Sequence, residues 1–208
     1  MKKYVVVLTA FLLFCGDMLA KNGEVMFWGV PFECRKADLA AAIKAKWNNA
    51  IVVDERNGGN NLIWRSKNYP DENLSYEGFE VNSASAEFTQ DDSLSRAYVG
   101  LVPQKKQNIF DLYSLVKKYL EGKYGKPEAD YSFFKSPYHK DGGQNNVWAV
   151  IEGKCVYIAF WSVPYKKHFV TISMEITPEK QVELTFVNEY KDINKPVLKE
   201  ENIPVQMQ

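Results

Sequence analysis

NIFDLYSLVKKYLEGKYGKP, residues 108–127, is the stretch on which the fold turns. Ile109, Leu112, Val116 and Tyr119 or Leu120 recur at steps of three and four, which predicts an amphipathic helix. Asn108 stands where an N-cap belongs, and Lys123 favours the negative end of the helix dipole. Gly122 or Gly125 can supply the left-handed cap, and Pro127 prevents continuation. Glycines and lysines this close together also suggest a phosphate-cradling loop. Such a loop precedes a helix, so that the N-terminal N–H groups face the anion, and here the glycines follow one. The stretch is a stop signal that opens the second half of a repeated plan.

The first pass begins at KNGEVMFWGVPF, where Val25 to Val30 looks like a short strand stopped by Pro31. ECRKADLAAAIKAKWNN then places Leu39, Ala42, Ile43 and Trp47 on one face of a helix of about three turns. AIVVDE reads as a strand, RNGGNN as a hairpin turn, and LIWRSKNYPDENLSYEG as a strand followed by an irregular loop. In FEVNSASAEF, Phe79 and Val81 share one parity while Ala84, Ala86 and Phe88 share the other, so a bulge near Ser83 is expected. RAYVGLV puts Ala97, Val99 and Leu101 on one face with Tyr98 opposite, and VPQKKQN is the junction.

The second pass follows the helix at 108–127. EADYSFFKSPYHKDGGQNN reads as a long polar and aromatic connection, and VWAVIEGKCVYIAFWSV as two strands around a Glu152-Gly153 turn. Both strands are apolar on both parities, which predicts at least one covered on both faces. His168 to Ile176 and Val182 to Tyr190 alternate as two more strands around TPEKQ. The expected fold is α+β: two helix-plus-antiparallel-sheet units in a two-layer sandwich. Residues 21–103 form the first helix-plus-meander unit, 104–192 the second, and 193–208 a polar surface tail. The order lacks the glycine-rich strand-to-helix turns of a doubly wound nucleotide-binding sheet.

Residues 1–20 read as a signal peptide: Lys2 and Lys3, an apolar Tyr4 to Cys15, then a short polar tail ending at Ala20. Export to the periplasm or the extracellular space is expected, with the mature chain starting at Lys21. Lipid anchoring at Cys15 is the weaker alternative, because Phe14 is bulky where such sites are small. Without Lys2, Lys3 and Asp17, the 26 basic and 26 acidic residues become 24 and 25. That balance gives no bulk field for nucleic acid, and no later segment resembles an integral membrane span. Cys34 and Cys155 remain; they could be joined by a disulfide in an oxidising compartment, or stay as two buried free thiols.

The opening FWGVPFECRKADLAAAIKAKW resembles that of small exported Bacteroidota proteins of unknown function, in which an aromatic-Gly-Ile/Val-Pro lead-in precedes a helix rich in Leu, Lys and Ala. LYSLVKKYLEGKYGKP with the strands after it is also similar to these proteins. The resemblance implies helix-plus-meander units with a fold like that of β-lactamase inhibitor proteins and small outer-membrane assembly lipoproteins. It implies no catalytic residues, and a binding role is compatible with it.

No G-x-S-x-G, C-x-x-C or H-E-x-x-H occurs, so no serine hydrolase or zinc signature is present, and no metal or cofactor is expected. Asp71-Glu72 and Asp91-Asp92 lack the oxygen spacing of a calcium loop and read as solvated turns. The mature chain has two histidines. His168 starts an alternating strand and reads as structural, while His139 sits in a loop. Asn73-Leu74-Ser75 and Asp92-Ser93-Leu94 are short matches to glycan acceptors. The aromatics carry the functional expectation. Phe133, Phe134, Tyr138 and His139 in the connection and Tyr165 in a flanking loop, with Trp161 on an adjacent strand beside Trp148, are the candidate surface for an unknown protein or envelope component. A small-molecule pocket or hydrolase site between the units is the alternative. It requires His139 or His168 in a polar cleft beside a carboxylate or cysteine.

Overall fold

The computed structural model describes residues 25–47, 50–55, 59–68, 74–105, 107–140 and 145–191. The signal peptide, Cys15, Lys21, Asp71, Glu72, Asn73 and the 193–208 tail lie outside them. The elements are β1 (Met26–Phe27), β2 (Val30–Pro31), α1 (Lys36–Lys46), β3 (Ala50–Glu55), β4 (Asn61–Ser66), β5 (Leu74–Tyr76) and β6 (Phe79–Phe88). They continue with β7 (Leu94–Leu101), α2 (Ile109–Tyr124), β8 (Ala129–Phe134), α3 (Asn145–Ile151), β9 (Cys155–Tyr165), β10 (His168–Ile176) and β11 (Val182–Asn188). The fold is α+β, with helices on a nine-stranded sheet in the order β3-β4-β6-β7-β11-β10-β9-β8, to which β5 adds by pairing β6. Every pair is antiparallel.

Strand parity decides which face is core. Leu62, Trp64, Ala84, Ala86, Phe88, Ala97, Val99, Leu101, Val182, Leu184, Phe186, Val170, Ile172, Met174, Ala159, Trp161 and Val163 all point one way and are buried. Each large aliphatic or aromatic side chain there contributes roughly 1.5–3 kcal/mol of burial. The expected bulge occurs between Val81 and Ser83, and it returns Val81 to the core face. The opposite face carries Ser85, Tyr98, Thr185, Ser173 and Phe160, all half-buried. On β9 that second parity, Val156, Ile158 and Phe160, is half-buried too. Coverage on both faces is thereby corrected: one side of the sheet is open enough to leave its apolar residues partly wet.

α2 matches its sequence pattern. It buries Ile109, Leu112, Tyr113, Val116 and Leu120 and packs on β9, β10 and β11. Asn108 Oδ1 accepts from the Asp111 N–H at 2.8 Å, and Gly125, at φ 85°, donates to Glu121 O at 2.9 Å. α1 buries Leu39 and Ile43 and packs on β3. The β1–β2 hairpin, turned at Trp28-Gly29, drives Phe27 against Phe186 (5.4 Å between centroids) and Trp28 against Trp64 (5.0 Å) and Trp47 (5.5 Å). These ring contacts, edge-on between the tryptophans and tilted between Phe27 and Phe186, add to the area they bury.

Three segments depart from expectation. The connection after Pro127 contains β8, a strand on the edge of the sheet. Leu74–Tyr76, expected as irregular, pairs with β6 around a Glu77-Gly78 turn. VWAVI is the end of helix α3, not a strand, although its β-branched residues favour one. Gly153, at φ 65°, donates to Val150 O at 3.0 Å, and Lys154 donates to Ala149 O at 2.8 Å. That pair of bonds is a Schellman helix end, so the glycine expected in a hairpin turn closes a helix instead.

Candidate functional site

β8 pairs with the first half of β9, Phe133 opposite Val156 and Phe134 opposite Cys155. The ladder continues one step, with Lys135 N–H donating to Lys154 O at 2.8 Å. Lys154 N–H in turn bonds to Ala149 O, so the C-terminal half of α3 sits beside the end of β8. Tyr138 closes the corner by donating its hydroxyl to Glu152 Oε1 at 2.9 Å.

The surface of this corner is apolar. Of the eight exposed large hydrophobic residues among those described, five lie here: Tyr131 and Phe133 on β8, and Val147, Trp148 and Ile151 on α3. Trp148 is 59% exposed. Tyr131, Phe133, Val156 and Ile158 occupy one parity of the β8–β9 ladder, on the open face of the sheet. Exposed aromatic and aliphatic side chains gathered at one corner are what a binding surface leaves outside.

The expected site residues divide. Phe133 is exposed and His139 lies in the solvent-facing part of the loop, while Tyr138 is half-buried with its hydroxyl on Glu152. Phe134 turns to the helix side and packs against Phe110 (6.1 Å) and Tyr157 (5.9 Å). Trp161 and Tyr165 are core residues, 2% and 3% exposed, and their place on the surface is corrected. Trp161 Nε1 donates to Gly125 O at 2.9 Å, and the Tyr165 hydroxyl donates to Phe32 O. Odd-numbered β9 residues face the helices, so both polar tips are spent on backbone carbonyls under the core. Tyr131, Val147 and Ile151 lie outside the expected set, because the sequence around Tyr131 reads as loop and 147–151 as strand; Trp148, expected on a strand, is exposed on α3 instead. The alternation of Tyr131 with Phe133 was the available signal.

A second, polar cluster lies at the β9–β10 hairpin. Glu33, held at φ 73° between β2 and α1, accepts from Lys166 Nζ (2.5 Å) and Asn188 Nδ2 (2.9 Å). His168 Nε2 lies 3.1 Å from Glu33 Oε1, close enough for an ion pair though without the alignment of a hydrogen bond. Burial would raise the Glu33 carboxyl, but the Lys166 and Asn188 hydrogen bonds and the charges of Lys166 and His168 outweigh it and hold it below its ordinary value. His168 also stacks on Tyr190, centroids 5.7 Å apart. A cavity of about 410 Å³ opens beside this cluster, lined by Phe32, Glu33, Cys34, Asp38, Tyr165 and Lys166.

Neither cysteine is poised as a nucleophile. Burial, with Asp38 and Asp92 nearby, pushes the Cys34 thiol up to about 12, and burial pushes Cys155 up to about 11. Both are free, which corrects the disulfide alternative. Cys34 sits by the β9–β10 turn, bonding through its backbone to Leu94, whereas Cys155 starts β9 ten residues before Tyr165, a strand length of roughly 33 Å. Ser93 is buried and its hydroxyl donates to Glu33 O at 3.4 Å, so it is no accessible glycan acceptor. Among the described residues there is no cluster of metal-ligating side chains, and no helix is long and apolar enough to cross a membrane.

No protein-family model, curated protein or solved structure matches this chain. The roles of these residues rest on their geometry.

Proposed function

We propose that this is an exported, noncatalytic binding protein whose partner, a protein or envelope component, docks on the β8–α3 corner. The observation that carries it is the concentration of exposed Tyr131, Phe133, Val147, Trp148 and Ile151 around one end of the sheet. Aromatic anchors with polar neighbours such as Lys135, Glu152 and Lys154 have the composition of an interface centre with its rim. The supporting architecture is two helix-plus-meander units, 21–103 and 104–192, in a two-layer arrangement. The strand order favours it, since β3-β4-β6-β7 runs forward along the sheet and β11-β10-β9-β8 runs back. The sequence resemblance to exported Bacteroidota proteins is consistent with that plan.

The test is quantitative affinity capture from the native envelope with wild type and Trp148→Ala, both verified as folded. Truncating a central aromatic anchor costs at least about 2 kcal/mol of binding, a roughly thirty-fold weaker Kd, read as a fall in partner recovered at concentrations below the wild-type Kd. Equal recovery by the two proteins defeats the proposed surface. Intact mass of the mature chain checks export, distinguishing a Lys21 terminus from a lipidated Cys15.

A second reading has one observation in its favour: His168 does approach a carboxylate, beside the Glu33–Cys34 cavity. That cavity could take a small molecule with a polar end facing Lys166. Hydrolysis is the weaker form of this reading, since the thiol is protonated at neutral pH and Glu33 is fully engaged. Thermal-shift screening of wild type against Lys166→Ala would reveal a ligand held there; no shift with any compound removes it.

A further inference from the structure

We propose that the free edge of β8 is a dimerisation edge, to which a second copy of this chain adds its own β8 about a two-fold axis at Ser132. This rests on the corner being a binding surface, and assigns its strand edge to the chain itself, leaving Trp148 on α3 for the other partner. Bonding of Lys135 N–H to Lys154 O fixes the phase of the β8–β9 ladder. In an antiparallel ladder alternate residues bond inward, here Tyr131 and Phe133, so Asp130, Ser132 and Phe134 direct N–H and C=O to the free side. No described residue takes those groups. Edge strands are ordinarily blunted by lysine, proline or a bulge. Asp130 to Phe134 carry no lysine or proline, their single charge, Asp130, is already paired with Lys117, and the irregular Glu128 and the lysine Lys135 lie just beyond the segment that would pair. The opposite edge strand, β3, differs in having α1 packed against it.

The edge is self-complementary in one register. With Ser132 opposite the partner subunit's Ser132, Asp130 falls opposite the partner's Phe134, and every outward N–H and C=O of the three residues finds a mate. Tyr131 then faces the partner's Phe133, and Phe133 the partner's Tyr131, aromatic pairs with Cβ atoms about 4.5–5.5 Å apart on the open face. A slip of one residue sets the open face of one copy against the helix face of the other. A slip of two leaves groups at the strand ends unpaired. α2 leaves room for the union, because it packs on β9, β10 and β11, inward of the edge. At least three strand spacings, about 14 Å, separate the two copies of α2, more than the 8–10 Å of packed helices. The rings to be covered are already about half buried, so the area gained is below that of a standard interface and the dimer is a weak one, for which a Kd on the order of 10 μM is the working figure.

Sedimentation velocity of the purified protein from about 1 to 200 μM tests this, the range bracketing that Kd. Expected are a concentration-dependent dimer for wild type and a monomer throughout for Ser132→Pro, which removes the axial N–H while an edge position tolerates the ring. Ser132→Cys treated with diamide should form an intermolecular disulfide, because Cα atoms of a hydrogen-bonded pair are about 5.5 Å apart; Leu115→Cys, exposed on α2, should not. The cross-link keeps the idea testable if the proline variant misfolds. A wild type monomeric at the highest concentration, a folded Ser132→Pro that still dimerises, or equal cross-linking by the two cysteine variants overturns it. A monomer that still captures its envelope partner through Trp148 overturns the dimer and leaves the proposed function standing. A dimer whose capture is indifferent to Trp148→Ala does the reverse.

Discussion

The two ends of β9 hold contrasting corners. At its C-terminal end Glu33 gathers Lys166, Asn188 and His168, and Tyr165 reaches back to Phe32. At its N-terminal end Phe133, Tyr131 and the outer face of α3 lie open, with no described element over them. The polar corner has the residue types of catalysis, yet their hydrogen-bonding capacity joins the N-terminal hairpin and α1 to the β9–β10 hairpin. The aromatic corner has no catalytic chemistry and a surplus of unburied apolar area. The difference teaches that reactive residue types count for function only when their partners are not already inside the fold.

The sharpest way to break that contrast uses two tryptophans. Trp161→Ala should cost about 3–5 kcal/mol in denaturant unfolding, because it empties a core site and strands Gly125 O. Trp148→Ala should change stability by no more than about 0.5 kcal/mol, since the ring is solvated, while capture of the partner collapses. Equal destabilisation by both would mean α3 is core after all. Next in size, Glu33→Ala should lose about 1.5–3 kcal/mol, since it leaves the buried Asn188 amide without its acceptor.

Glu33 also predicts a pH dependence. Its folded carboxyl lies below the ordinary value of 4.5, so its contribution is complete above that value. It is lost as pH falls through the lower folded value. Thermal unfolding followed from pH 6 downward should show wild type losing stability over that acid range more steeply than Glu33→Gln; parallel curves would deny the carboxylate its role.

The smallest effect lies on the sheet between the corners. Glu175 and Glu183 are directly cross-strand, and burial first, then the charges of Glu175 and Glu179, raise the Glu183 carboxyl. A raised folded value means this group costs stability once pH passes it. Glu183→Gln should therefore stabilise the protein at neutral pH by about 0.2–1 kcal/mol, read as a shift in denaturation midpoint. A neutral or destabilising result would show that the carboxylate has a compensating partner.

α2 was legible in detail because its signals are local: Asn108, four apolar positions at helical spacing, and Gly125 within one continuous stretch. The bulge at Ser83 was legible for the same reason, since a change of parity within ten residues has one simple geometric cure. α3 was not. Gly153 serves a hairpin turn and a Schellman end equally well, and VWAVI carries strand propensity, so the choice fell to burial of Ala149 and Val150 against the rest of the molecule. Phe133 and Phe134 stand out in the sequence as aromatics in a polar connection, but adjacent strand residues face opposite ways, and only the pairing with β9 says which one is left outside.

Sequence alone determined the α+β composition, the long helix and its ends, most strands and their inward parity, because caps, periodicity and turns act over a few residues. Tertiary structure alone decided that Trp161 and Tyr165 are core, that Cys34 and Cys155 are far apart, that Glu33 meets His168, and that β8 forms an edge. Each of these depends on contacts between residues distant in the chain, and solvent exposure is a property of the whole packed molecule.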